Sequence, residues 1–292
     1  MTKRERERRA TLRRRASHAI SIHSAISAEP WDVPGAKRAF ACSGTPADCT
    51  MIAMGVLYPR VDFEFFVSGI NRGDNAGLHV VYSGTVAGAR EGAMKGSAVG
   101  VAVSLNSYSR SADYSEAGRV ATELLTTVAA SPRLRDGLRG KVLNVNVPNL
   151  ARDDVKGVKL TQPGMSCTTA DWVRVAGGGD NNEAAAKDTT TAAPPSDAAF
   201  GDGIVELPVP LDGTLEDWSK GKRWFRNKPG PARDDQREGY DKRALDDGYV
   251  SISVLGVETV TMGLTGEGAT GRDVEQIMAA FGDAHGLLHR AA

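Results

Sequence analysis

Cysteine is scarce and unpatterned in this chain. Its three cysteines, Cys42, Cys49 and Cys167, show neither paired nor metal-type spacing. That excludes a disulfide-stapled scaffold and a cysteine-built zinc site. Cys49 falls on a predicted helix face beside Met51 and Ile52, where a small buried hydrophobe is the expected use of a thiol and a reactive thiol the alternative. An excess of charge is missing too: 36 Lys and Arg face 36 Asp and Glu, so nothing draws the whole chain toward nucleic acid or a membrane surface. No apolar run reaches the length of a membrane span, and no secretory signal opens the chain. A reducing, cytoplasmic compartment is the expectation. Gly177-Gly178-Gly179 is not a dinucleotide fingerprint, because no helix-forming stretch follows at the required spacing.

What is present fits an α/β protein. A chain of 292 residues, 41% hydrophobic and 25% charged, can bury a sizeable core in one large domain. Its organising stretch is Val67 to Gly92. Val61 to Phe66 before it reads as a buried strand, and Thr85 to Lys95 after it reads as a helix, with Val86, Ala89, Arg90 and Ala93 at helical spacing. Between them lie Gly69, Gly73, Gly77, Asn71, Asn75 and a Ser83-Gly84-Thr85 step. A strand, a glycine-rich loop and a helix start offering hydroxyls and N–H groups favour an anion, usually phosphate, at the carboxyl end of the strand.

Taken in order, residues 1–15 carry eight basic and two acidic residues with almost nothing apolar, and read as a disordered leader, with a nucleic-acid arm as the alternative. Ser17 to Ser27 reads as a half-buried strand or loop, in which His18 and His23 are structural sooner than ligands, and Lys37 to Ser43 as a short strand. Thr45 and Pro46 are placed to cap and open a helix running to about Leu57. Ala98 to Leu105 is a continuous apolar run, as a central parallel strand requires. Tyr114, Ala117, Val120, Ala121, Leu124 and Val128 mark an amphipathic helix. Lys141 to Val147 and Lys156 to Thr161 read as strands, and the alternation implies right-handed crossovers and a parallel sheet. Residues 175–200 form a low-complexity loop. Ile204 to Leu211 reads as a strand or arm, and Trp218, Trp224 and Phe225 offer a partner surface. Tyr249 to Leu255 reads as a strand and Arg272 to Leu288 as a terminal helix, where His285 and His289 stand in no metalloprotease context.

Ser68-Gly69-Ile70-Asn71-Arg72-Gly73-Asp74-Asn75-Ala76-Gly77 and Tyr82-Ser83-Gly84-Thr85-Val86-Ala87-Gly88-Ala89-Arg90-Glu91-Gly92 resemble the SurE family of metal-dependent phosphatases and 5′/3′-nucleotidases. Gly44 to Cys49, Leu143 to Pro148 and Asp247 to Ile252 follow in the family's order, and Ser17 to His23 is similar to its segment before an inserted hairpin. The loop after Ser166 is similar to that of the plant and algal branch. The resemblance spans about residues 16 to 260 and implies a Rossmann-like three-layer core with a mainly parallel sheet, a C-terminal β-arm and a terminal helix. It implies one SurE-like domain over 16–292 and assembly as a homodimer or homotetramer. It also implies a divalent cation, magnesium or manganese, with Asn71 as ligand, and phosphate contacts from Asn75, Ser83, Gly84 and Thr85. The substrates implied are nucleoside monophosphates or other phosphate monoesters.

The departure lies at the start. The family's Asn-Asp-Asp-Gly turn, which supplies two aspartate ligands and the water-activating base, is absent before Ser17, and the metal-binding serine falls by register at Arg14. Only Asn71 of the four ligands carries over, so no catalytic residue does; a neutral ligand alone holds such an ion poorly. Three readings stay open: a phosphomonoesterase whose start lies upstream, an inactive relative that binds nucleotide or phosphate, and a basic-arm nucleic-acid-binding protein. Balanced charge and an arm without aromatics weigh against the third.

Overall fold

The computed structural model describes residues 17–94, 98–175 and 224–257. The basic leader, the low-complexity stretch, Ile204 to Leu211, Trp218 and the terminal helix with His285 and His289 lie outside the described residues. The chain divides into two compact units, one of residues 1–166 and 234–292, the other Cys167–Arg233. In the first, a hairpin of β1 (Ala28–Pro30) and β2 (Phe40–Cys42) precedes α1 (Pro46–Ile52), which ends in a π-turn, Ala53–Leu57. Then come β3 (Phe65–Arg72), α2 (His79–Tyr82), α3 (Gly84–Met94), β4 (Val99–Asn106), α4 (Ser115–Ala130), α5 (Pro132–Leu138), β5 (Lys141–Pro148) and β6 (Val158–Thr161). β7 (Cys167–Val175) and β8 (Trp224–Arg233) make an antiparallel ribbon, the second unit, and α6 (Asp241–Asp246) and β9 (Val250–Gly256) return to the first.

The sheet order is β3-β4-β5-β9-β6. β3, β4 and β5 are parallel, β9 runs antiparallel to β5, and β6 is parallel to β9. The carboxyl ends of β3, β4 and β5 therefore share one edge with the amino ends of β9 and β6. One face is apolar along its length: Val101, Val103, Leu105, Leu143, Val145, Val147 and Ile252 pack with Val120, Leu124 and Val128 of α4. The other face is apolar only toward the amino ends of the parallel strands, where Ala102, Val142 and Leu255 meet Val86, Ala89 and Ala93 of α3. This is a three-layer α/β core with a mainly parallel sheet.

The expected strand at Val61 to Phe66 is displaced. Val61 is exposed, and the strand begins at Phe65 and runs through Ser68-Gly69-Ile70-Asn71-Arg72, the stretch read as loop. Pairing with β4 satisfies these backbone groups and overrides the weak strand propensity of Gly and Asn. Phe63 packs instead on Tyr58 and Phe66, with ring centroids 6.0 and 4.9 Å apart. The expected helix from Thr45 is present with a capping box: Thr45 Oγ1 accepts from Asp48 N at 3.2 Å, and Thr45 N donates to Asp48 Oδ2 at 2.8 Å. Thr50 Oγ1 on the same helix donates to Gly88 O at 2.9 Å, tying α1 to α3. Gly92 lets α3 approach the sheet, since a Cβ there would fall 2.1 Å from the Phe66 ring. Cys49 is half-buried, and burial with the neighbouring Cys42 thiol pushes its own thiol up to about 12, as befits an unreactive side chain.

Leu124 is fully buried at the centre of the α4 face. Leu124→Ala is expected to cost about 2–5 kcal/mol of stability, read as a lower urea midpoint at unchanged slope. A cost below about 1 kcal/mol would remove α4 from the core.

Candidate functional site

Two rows of side chains, polar except for Ala102, cross the sheet near the carboxyl edge of its parallel strands. Register aligns Asn71, Ser104, Asn146, Ser251 and Lys159 in one row, and Ser68, Ala102, Asn144, Ser253 and Thr161 in the next. Alternation puts residues i and i+2 of each strand on one face, so β5 presents Asn144 and Asn146, and β9 presents Ser251 and Ser253, on the α3 side. All four are fully buried. Thr161 Oγ1 lies 2.8 and 2.9 Å from the Ser251 and Ser253 hydroxyls. Burial at this depth requires partners, and the loop leaving β3 provides them.

That loop, residues 73–78, is pinned along its length. Gly73 N donates to Leu105 O and Ser107 O at 3.0 and 2.8 Å. Asn75 N donates to Asn146 Oδ1 at 2.7 Å, Asn144 Nδ2 donates to Asn75 O at 2.9 Å, and Asn75 Nδ2 donates to Ser104 Oγ at 2.5 Å. The two asparagines of β5 thus read the N–H and the C=O of one loop residue. Asn144 Oδ1 and Asn146 Nδ2 stay unpartnered among the described residues, which costs about 1–3 kcal/mol each. Gly77 N donates to Asp241 Oδ2 at 2.8 Å and Leu78 N to Ser166 O at 2.8 Å. Gly77 has φ +56°, and a Cβ there would lie 2.3 Å from Ser166 O, so only glycine fits.

The loop leads through α2 to Ser83 and α3. Ser83 is buried, and its Oγ accepts the Val86 N–H at 3.0 Å as a helix cap, while Ala87 N donates to Ser83 O. In the first turn this leaves the Gly84 and Thr85 N–H groups without intrahelical acceptors, beside the Ser83 hydroxyl proton and the Thr85 hydroxyl. The helix dipole adds positive potential there. Since α3 returns antiparallel to β3 and β4 in a βαβ crossover, its start lies at the carboxyl edge that also carries Asn71. Asn75 is held inside the polar network, its amide committed to Ser104.

Two carboxylates, Asp74 within the loop and Asp241 against it, have opposite acidities. Burial pushes Asp74 up, but hydrogen bonds from the His79 ring (Nδ1 to Oδ1, 3.1 Å) and Ala76 N (3.1 Å) outweigh it and hold the carboxyl below its ordinary range. The Tyr108 hydroxyl stands 3.4 Å from Asp74 Oδ2. The Asp74 bond raises His79 against the opposing effect of burial. Asp241 accepts from Gly77, Gly164 and Lys242 N–H groups, yet burial prevails and raises it.

A divalent cation does not fit the described residues. Asn71 Nδ2 donates to Gly73 O at 2.9 Å, leaving a single neutral carbonyl oxygen as ligand. The nearest loop carboxylate, Asp74, is occupied by His79, Ala76 and Tyr108. No group of three or more His, Cys, Asp or Glu capable of holding a metal occurs among the described residues. Hard cations take several oxygen donors, carboxylates foremost.

Asp74, His79, Asp241 and the Asn144/Asn146 pair escaped the reading of the sequence. The Asn-Val-Asn and Ser-Ile-Ser alternations inside apolar strands were the signal for a polar patch on one sheet face; nothing local marks Asp241. The Asp74–His79 pair sets a pH window. Asp74's depressed range contributes stability fully above the ordinary carboxylate value of 3.8 and loses it as pH falls through the lowered range. His79's raised range contributes fully below the ordinary 6.5 and loses it as pH rises through the raised value. His79→Gln is therefore expected to destabilise most between those limits and least in alkali, measured as urea midpoints against pH. A pH-independent difference would show that the pair carries no charge coupling.

The model of the family described as Survival protein SurE matches residues 11–170. A 5′-nucleotidase SurE of Synechococcus elongatus is 37% identical over 165 residues, covering 55% of this chain and 58% of the relative. One of Symbiobacterium thermophilum is 40% identical over 172 residues, covering 58% and 62%. The chain thus spans about three fifths of the length of these curated relatives. The crystal structure of the SurE protein from Aquifex aeolicus shares the fold at a TM-score of 0.56 and 22% identity, over 84% of this chain and 78% of that one. No helix among the described residues is long and apolar enough to cross a membrane. With more than half its length matched by the family model and its glycine-rich loop clamped at the carboxyl edge of the sheet, the chain belongs to the SurE family.

Proposed function

We propose that this protein is a SurE-type phosphomonoesterase acting on nucleoside monophosphates, and that the described residues form the phosphate-binding half of its site. The observation that carries the proposal is the start of α3: Ser83, Gly84 and Thr85 present two hydroxyls and first-turn N–H groups at the carboxyl edge of β3. Tetrahedral phosphate oxygens match such donors. Asn75 acts through the loop it anchors, with Asn71 beside it. The 5′-nucleotidase names of the relatives supply the substrate class.

The chain's own residues bind and orient the phosphate. Each helix-terminus or hydroxyl contact is worth on the order of 1 kcal/mol, so affinity without further ligands is weak. Hydrolysis needs charge neutralisation and an activated water that the described residues do not supply. The donor set around Asn71 therefore favours one second reading, a nucleotide- or phosphate-binding relative that regulates without turnover. Self-association belongs to the proposal too: Trp172 and Phe225 on the β7–β8 ribbon are exposed, as aromatic interface residues are before assembly. Light scattering should give a dimer or tetramer mass, and a strictly monomeric mass removes that part.

Isothermal titration of the 292-residue chain with AMP is expected to show weak binding that Ser83→Ala reduces further. Turnover of AMP and of an aryl phosphate, with and without manganese, is compared with that of a chain extended upstream by a strand bearing an Asn-Asp-Asp-Gly turn. Metal-stimulated hydrolysis by the extended form alone supports the phosphomonoesterase. Binding without turnover in either form selects the second reading. Equal metal-stimulated rates from both would show that the aspartate pair is dispensable and would overturn this division of the site.

A further inference from the structure

Asp241 is fully buried at the start of α6 and, among the described residues, forms no hydrogen bond to the Ser83 step or to Asn71, yet it holds the loop between them. Its Oδ2 accepts the Gly77 N–H at 2.8 Å, and its Oδ1 accepts Gly164 N at 3.1 Å and Lys242 N at 2.8 Å. Gly77 lies two residues beyond Asn75 and six before Ser83. On its other side Gly77 abuts Ser166, whose carbonyl takes the Leu78 N–H at 2.8 Å. Ser166 is fixed in turn, because its Oγ accepts Asp235 N at 2.7 Å and Asp235 Oδ2 accepts Met165 N at 2.9 Å. The exit of the loop is thus gripped between a carboxylate and a backbone carbonyl.

Three N–H donors converge on two carboxylate oxygens. A carboxamide in the same place must turn its NH2 toward at least one of those donors, and a neutral acid accepts them more weakly, so the ionised form serves all three best. We propose that Asp241 is a positioning residue for phosphate binding, acting through Gly77 to set the path of the loop from Asn75 to the start of α3. This deepens the proposed function and rests on the reading of that helix start as the phosphate site.

Acidity separates positioning from mere structure. Burial raises Asp241's range despite its hydrogen bonds, so the ionised form is held at a cost to the fold above the ordinary carboxylate range. Asp241→Asn releases that cost but leaves one buried N–H donor unpaired, two effects of opposite sign on the fold. A positioning role requires anion affinity to fall while the fold stands. The ionisable groups coupled to Asp241 are Asp74 from the loop and His79 from α2; the Lys242 ammonium is turned to Asp246 and Asp234, and Asp234 acts on His79.

The test uses the 292-residue chain and its Asp241→Asn variant near neutral pH. Inorganic phosphate and AMP are the calorimetric probes, and the Gly77 and Gly164 amides are followed by NMR. Asp241→Asn is expected to keep a near-wild-type urea midpoint, to weaken both probes by roughly tenfold or more, and to move the Gly77 amide resonance upfield. Wild-type affinity in a variant of unchanged fold overturns the positioning role alone. A wild-type chain that binds neither probe overturns the phosphate site and the positioning role together. Should Asp241→Asn not fold, the His79→Gln variant, which keeps Asp241, is titrated from about pH 8 down to the ordinary carboxylate value of 3.8 with sulfate, whose charge does not change. Affinity falling in step with the Gly77 resonance supports the proposal. A Gly77 resonance and sulfate affinity that do not change with pH overturn it.

Discussion

One exchange of hydrogen bonds holds this site together. The carboxamides of Asn144 and Asn146, fully buried on β5, take the C=O and N–H of Asn75 in the loop that follows β3. Polar side chains in the middle of a sheet face are costly unless paired, and in a low dielectric the paired ones are correspondingly firm. The polar end of the sheet needs the loop, and the loop, poor in apolar residues, is ordered by hydrogen bonds instead. Through that contact the register of five strands determines where α3 begins.

The two carboxylates beside the loop show how burial and partners compete. Asp74 and Asp241 both lose water, and both accept backbone N–H groups. Asp74 also faces a histidine ring that can carry a proton, and its acidity goes down. Asp241 meets only neutral donors through its hydrogen bonds and has Asp74's charge nearby, and its acidity goes up. At Asp74 the histidine partner tips the balance against desolvation; at Asp241 the neutral donors do not.

Much of the architecture was legible in the chain. The apolar run at β4, the three-and-four spacing of α4 and the Thr45-Pro46 start of α1 each follow from a local rule, and all three elements are present. β3 was misplaced because its Ser-Gly-Ile-Asn-Arg segment has the composition of a turn; pairing along β4 makes it a strand. β7 ran through a stretch read as loop, and α5 went unread between two stronger signals. Asn71 and the Ser83-Gly84-Thr85 step, read from the sequence as metal ligand and phosphate contacts, lie on one strand–loop–helix unit. Asn75 was read as a phosphate contact; in the structure its Nδ2 donates to Ser104 Oγ.

Periodicity and turn chemistry act over a few residues, so the sequence alone determined the α/β class, the order of its elements and the glycine-rich loop ending at a capped helix. The alternation of asparagine with valine in β5 and of serine with isoleucine in β9 was written there too, but not what those side chains would meet. Only the tertiary structure decided that. Asp241 lies 164 residues from Gly77 and 77 from Gly164, and Asn146 lies 71 from Asn75. Contacts across such separations are selected by strand order and by the demand of buried polar groups for partners, and neither has a local signature.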